Sequence, residues 1–204
     1  MTIRLHRGDL SDISHFGAIV AIDTETLGLN PKRDRLCVVQ LSAGDGSADV
    51  VQMPLGDTEA PNIVKLLADP NRLKLFHYAR FDIAVLCNAF GVMPEPIYCT
   101  KIASRLARTY TDRHGLKDLA RELLGIDLSK QQQSSDWGAE TLTDAQVAYA
   151  ASDVLHLHAL KERLDAMLVR EGRAAFAAEC FRFLPTRARL DLAGFAEEDI
   201  FAHS

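Results

Sequence analysis

The apolar run AIVAID, residues 18–23, ends in carboxylates: Asp23 closes it and Glu25 follows two residues later. A short run of β-branched and apolar residues reads as a buried strand. A spacing of two puts both carboxylates on one face of that strand. Burying two like charges there is costly unless cations neutralise them. Taken alone, D-x-E reads first as a solvent-facing acidic turn, and otherwise as part of a metal site at a strand end, where α/β sheets tend to hold ligands.

The surrounding pattern narrows the fold. RLCVVQLS (35–42) and ADVVQM (48–53) read as two further strands, with Gly44-Asp45-Gly46 as a hairpin signal and Asn30-Pro31 as an earlier turn. Three sequential strands with short links form an antiparallel meander. Residues 60–68 then read as a helix with Pro61 early, 73–76 as a strand, and 80–89 as a helix ended by Gly91. A brief fifth strand at 97–98 precedes a helix at 100–107. Helices are expected at 116–124, 143–170 and 173–182, the second opened by the capping box Thr143-x-x-Gln146. The class is α/β: a mixed five-stranded sheet flanked by helices, with a helical C-terminal part.

Composition fits one globular unit, residues 1–204, with a core at about 15–170 and a C-terminal helix and tail at 171–204 that either frays or docks against another copy. The apolar fraction is 48% and the charged fraction 25%, both ordinary for a folded protein. No apolar run reaches the ~20 residues that span a membrane, and the start carries no signal-peptide pattern, so a cytoplasmic protein is expected. The four cysteines form no C-x-x-C pair and read as buried reduced thiols. A net charge of −5 argues against an extended grip on duplex nucleic acid, which needs many Lys and Arg contacts to phosphate.

Other acids stand where a fold can bring them to the strand. Asp82 lies early in the 80–89 helix, where an acid also simply favours the helix dipole. Tyr149 and Asp153 are four apart on a helix and share a face. That pair is either an ordinary helix surface or a carboxylate with a phenol that holds a water. Hard cations such as Mg²⁺ and Mn²⁺ prefer oxygen ligands, and a two-metal site can cut a phosphodiester by in-line displacement. The polar loop 128–142, which holds KQQQSSDWG and the single Trp137, is long enough to be functional or else a solvated connection. The densest basic stretch is Arg105, Arg108, Arg113, His114, Lys117 and Arg121, a phosphate contact surface or a charged helix face.

In order, D-x-E on the first strand, Asp82, and Y-x-x-x-D on a late helix resemble the DEDD exonucleases in the form that carries tyrosine. LGIDLSKQQQSSDWGAETLTDAQVAYAASDV resembles the ribonuclease D branch, through Lys130, the glutamines, Ser135-Asp136-Trp137 and Tyr149 to Asp153. The resemblance implies an RNase H-like fold, two divalent cations and 3′-to-5′ hydrolysis to nucleoside 5′-monophosphates. Carried over by position, Asp23, Glu25, Asp82 and Asp153 would ligate metal, and Tyr149 would position or deprotonate the attacking water. Thr26, Leu29, His77, Arg108, Lys130 and Gln133 would touch substrate, with Leu29 as a wedge between bases or ordinary core. His77 would meet the terminal sugar or phosphate, or be a structural histidine.

Two departures bear on substrate. Ribonuclease D proteins carry further helical domains after the catalytic one, whereas this chain stops about 50 residues past Asp153. Cys99 stands where the family often has an acid. In length and style the chain resembles the small stand-alone nanoRNases of bacteria, which implies RNA dinucleotides as substrate and a homo-oligomer, an octamer by that likeness. General trimming of longer RNA or single-stranded DNA is the neighbouring alternative. A catalytically silent binding module, or a structural oligomer whose acids merely hold metal, are the alternatives of another class.

Overall fold

The computed structural model describes residues 2–56, 59–129 and 131–203. In chain order the elements are β1 (Thr2–Arg7), β2 (Ile19–Thr26), β3 (Leu36–Ser42), β4 (Ser47–Gln52), α1 (Pro61–Ala68), β5 (Leu73–Phe76), α2 (Ala79–Phe90), β6 (Ile97–Cys99) and α3 (Thr100–Ala107). Then follow α4 (Leu116–Leu119), which runs into a π-helical turn at Ala120–Leu124, α5 (Asp144–Leu155), α6 (Leu157–Arg170) and α7 (Ala174–Leu190), itself ending in a π-helical turn at Asp191–Phe195.

The strands form one mixed sheet in the order β1-β4-β3-β2-β5-β6. β2, β3 and β4 are the expected antiparallel meander, and β5 and β6 add to β2 in parallel. Gly44 and Gly46 both take positive φ in the hairpin between β3 and β4, which a residue with a Cβ rarely adopts. Gly91 ends α2 in the left-handed region, with its N–H donating to the Cys87 carbonyl.

The sheet has six strands rather than five. β1 pairs in parallel with β4 and makes an edge. Its sequence, TIRLHR, hides the strand because its residues are exposed or only half-buried and three carry basic or imidazole side chains. What fixes it is tertiary. Arg4 donates from Nε and Nη2 to the two Asp49 oxygens, each at 2.7 Å, and His6 Nε2 lies 2.8 Å from Asp49 Oδ1.

Alternation along β2 divides its side chains between the two faces. Val20 and Ile22 join the core with α1, α2 and the end of α7, while Ala21 joins the core with α3, α5 and α6. Asp23 and Glu25 therefore leave the sheet toward α5, and Thr24 leaves it toward α2. The expected single helix at 143–170 is two, broken at His156 (φ −107°, ψ −1°). No Gly or Pro marks that break, and the apolar spacing runs on through it: Ala150, Ala151 and Val154 are buried in α5, and Leu157, Leu160, Leu164 and Leu168 in α6. α7 runs past the expected end at Arg182 and contains Pro185, which is buried. Cys180, on this helix, is exposed rather than buried as expected. The tail does not simply fray. Arg80 donates to Asp191 at 2.6 and 2.8 Å and to the Ala196 carbonyl at 2.7 Å, tying the end of α7 to α2. Among the described residues no helix is long and apolar enough to cross a membrane.

Candidate active site

Asp23, Glu25 and Asp153 converge, each offering a carboxylate oxygen within 4.8 Å of the others. β2 supplies the first two from one face, and α5 lays Asp153 across them. The ladder slips between Glu25 and Thr26, where Glu25 faces Val38 but Thr26 faces Leu36. Such a bulge bends the strand end and re-aims its side chains. The expected capping box starts α5: the Thr143 hydroxyl accepts from Gln146 N at 3.3 Å, and the Gln146 side-chain oxygen accepts from Thr143 N at 3.0 Å. Gln146 Nε2 also donates to the Asp136 carbonyl at 3.0 Å, which ties the 128–142 loop to the helix. Trp137 from that loop is buried beside Tyr149, with ring centroids 6.0 Å apart.

Asp82 comes from the first turn of α2 on the other side of β2. It is buried, and Thr24 Oγ1 donates to its Oδ1 at 2.7 Å. It stands outside the tight group of three but is close enough to raise the Asp23 pKa by its charge.

No Lys or Arg forms an ion pair with any of these four acids among the described residues. Burial holds all four protonated above the usual carboxylate range, and repulsion from neighbouring acids adds to it at Asp23, Glu25 and Asp82. Glu25 is pushed up to about 9, and Asp82 and Asp153 to about 7. Asp23 rises as well, by burial first and then by the charges of Asp82, Asp153 and Glu25. Tyr149 is pushed upward by burial and then by Asp153. An all-oxygen donor set that the fold makes costly to ionise, with no paired cation among the described residues, fits a hard divalent metal.

Asp23, Glu25, Asp153 and Tyr149 line a cavity of about 320 Å³ together with Thr24, His77, Lys101, Lys117, Ser129 and Gln133, and Asp82 is not part of that lining. His77 Nδ1 lies 2.9 Å from the Thr100 hydroxyl, which in turn donates to the Phe76 carbonyl at 3.2 Å. That chain makes Nδ1 the donor and leaves Nε2 as the imidazole's free acceptor. Burial, helped by the Lys101 charge, pushes the His77 pKa down to about 3, so the ring is neutral at ordinary pH.

The remaining expected contacts divide. Gln133 lines the cavity; Lys130 lies outside the described residues. Leu29 is 88% exposed and so is not core, but neither does it line the cavity. The Thr26 hydroxyl donates to the Gly28 carbonyl and closes the turn after β2. Arg108 is a correction. It is fully buried, donates to the Ser104 hydroxyl at 2.9 Å and the Arg113 carbonyl at 2.8 Å, and pairs with Glu122, so its guanidinium is consumed by the fold. Of the basic stretch, Lys117 alone reaches the cavity.

Two lining residues carry no sequence signal. Tyr78 is the one non-glycine residue with positive φ among the described residues (φ 68°), at the start of α2. Lys101 Nζ sits 4.4 Å from the centre of its ring. Strained backbone of this kind clusters at functional sites.

A mixed sheet whose central strand and covering helix gather carboxylates in a small cleft gives a candidate carboxylate metal site on an RNase H-like fold. The 3′-5′ exonuclease family matches residues 10–169, and the chain belongs to that family. Ribonuclease D of Granulibacter bethesdensis is 37% identical over 160 residues, which are 78% of this chain and 40% of that protein. The chain thus spans about 40% of the length of the ribonuclease D sequence that it matches. Brucella melitensis NrnC superposes over the full length of both chains with a TM-score of 0.97 and 63% identity. That protein is also known with bound Mg²⁺ and bound to pGG. Escherichia coli RNase D is 28% identical with a TM-score of 0.76, covering 84% of this chain and 45% of its own.

Proposed function

We propose that this chain is a metal-dependent 3′-to-5′ exoribonuclease of very short RNA, above all 5′-phosphorylated dinucleotides, releasing nucleoside 5′-monophosphates. The observation that carries the reading is the convergence of Asp23, Glu25 and Asp153 in a cleft of about 320 Å³, at the small end of ligand sites. A full-length likeness to a protein known bound to pGG supports the dinucleotide.

Asp23, Glu25, Asp82 and Asp153 would hold two divalent ions, Mg²⁺ or Mn²⁺. Bound there, such ions supply a more acidic water and neutralise charge on the phosphate. The chain's own groups do the placing. Water adds to phosphorus, the bond to the 3′ oxygen breaks, and that oxygen leaves with a proton. Tyr149, its pKa raised by burial and Asp153, keeps its own proton and orients the water rather than deprotonating it. Neutral His77 offers an acceptor nitrogen to a ribose hydroxyl, and Lys101 and Lys117 offer charge to phosphate. The chain acts as one exonuclease unit. Its tail from 171 docks on a second copy, for which the exposed Phe176 and Phe201 supply apolar surface.

Turnover of 5′-labelled RNAs of increasing length, with and without the 5′ phosphate, tests this. Dinucleotides should be cut fastest and should lose most when the phosphate is removed. Equal rates at all lengths would instead support ribonuclease D-like trimming, and no metal-dependent cleavage at any length would defeat the reading.

A further inference from the structure

β3 is buried along its whole length, and Gln40 is the one amide side chain in LCVVQLS. A buried amide is costly unless its donors and acceptor are satisfied. Gln40 stands directly opposite Asp23 in the β2–β3 ladder. Paired residues of neighbouring strands project on the same face, so the amide reaches the carboxylate cluster from beneath α5. Gln40 Nε2 donates to Asp23 Oδ2 at 3.3 Å. Gln40 Oε1 is buried and accepts from no protein group among the described residues. An orphaned buried acceptor is destabilising, and an apolar side chain of the same length would avoid that cost. The fold thus keeps an amide where packing alone favours a hydrocarbon, and its one partner among the described residues is Asp23.

Asp23 needs such a partner. Its carboxylate turns about a soft torsion, and its nearest charged neighbours are acids that repel it. A donor on β3 ties one oxygen down and sets the plane in which the carboxylate meets Glu25 and Asp153.

We propose that Gln40 is a positioning residue: its side-chain N–H fixes the Asp23 carboxylate and thereby sets how tightly the cleft holds a divalent cation. The inference rests on the metal-dependent reading above and extends it to a residue outside the ligand set. Partners of metal ligands typically set affinity by about 10- to 100-fold.

Gln40→Met and Gln40→Leu test it in the full chain, by thermal melting in chelator, calorimetric titration with Mg²⁺, and hydrolysis at graded Mg²⁺. Both variants should melt in chelator no lower than the wild type, because an orphaned acceptor has gone. Both should bind Mg²⁺ about 10-fold more weakly, gain less melting temperature from it, and recover hydrolysis as Mg²⁺ is raised. Mg²⁺ affinity within twofold of the wild type in either folded variant overturns the proposal. So does failure of both to fold, or a loss of stability that is equal with and without Mg²⁺, since either makes the amide a packing element. A wild type that binds no Mg²⁺ defeats the metal-dependent reading itself, which the variants' results cannot mimic.

Discussion

Two places in this molecule surround aspartate with protein, and they treat it in opposite ways. Asp49, on β4, is 1% exposed and meets Arg4, His6 and His15 through both oxygens. Although burial pushes its pKa upward, these hydrogen bonds outweigh that and hold it down at about 2. Among the described residues Asp23, Glu25, Asp82 and Asp153 form no ion pair with a Lys or Arg; burial pushes all of them up, and repulsion adds to it at Asp23, Glu25 and Asp82. The first arrangement is complete within the chain and fastens the edge strand β1. The second leaves its acids without a paired cation among the described residues. A structural acid and a proposed ligand acid differ here by what the fold has placed around them.

The sharpest way to break that comparison is to remove a cleft acid. Asp153→Ala should lower dinucleotide hydrolysis by more than ~10²-fold, the scale of one preorganised electrostatic contact at a reacting centre. Tyr149→Phe should lower it by roughly 10²-fold, as for a group that manages a proton or a water. Both proteins should melt normally in chelator; activity left intact in either removes that residue from the proposed machinery.

Next comes proton linkage. A carboxyl whose pKa is raised on folding binds a proton more tightly folded than unfolded, so stability falls as pH rises from its unfolded value to its folded one. For Glu25 that window runs from the ordinary carboxylate range to about 9, and the destabilisation is on the order of a few kcal/mol. Metal-free protein should therefore melt lower at pH 9 than at pH 5, Mg²⁺ should reverse the trend, and Glu25→Gln should flatten it. Melting curves that ignore both pH and Mg²⁺ would contradict the uncompensated cleft. Asp49 has the opposite sign. Its depressed pKa contributes stability that is present above the ordinary aspartate value and lost as pH falls toward about 2. Asp49→Asn should cost roughly 2 kcal/mol at neutral pH. Calorimetry at high and low Mg²⁺ should find the same loss in both.

The residues that the sequence exposes are those bound by local rules. Asp23 with Glu25, and Tyr149 with Asp153, share faces because spacings of two and four dictate it on a strand and a helix. The capping box and the hairpin glycines are equally local. What escaped is set by partners distant along the chain. β1 is a strand because Asp49 holds Arg4 and His6. Arg108 looks like a surface charge until Glu122, fourteen residues on, is folded beside it. The His156 break leaves no mark because apolar residues continue on both sides of it. Tyr78 and Lys101 reach the cleft from the start of α2 and from α3, and nothing near either residue announces it.

The smallest expected effect also isolates the electrostatic part of the comparison. Thr143 caps α5 with neutral hydrogen bonds, and α5 carries both Tyr149 and Asp153. Thr143→Ala should cost ~1 kcal/mol, the usual worth of such a cap. That is a fall of about 2–4 °C in melting temperature for a domain of this size. Because no charge is involved, the loss should be the same at pH 5 and pH 9 in chelator, unlike the changes at Glu25. Mg²⁺ need not behave so simply: a frayed first turn loosens the helix that delivers Asp153, so the cap variant should gain slightly less stability from the metal than the wild type does. If the gain is undiminished, the first turn and Asp153 two turns further along are uncoupled, and the cap serves the fold alone.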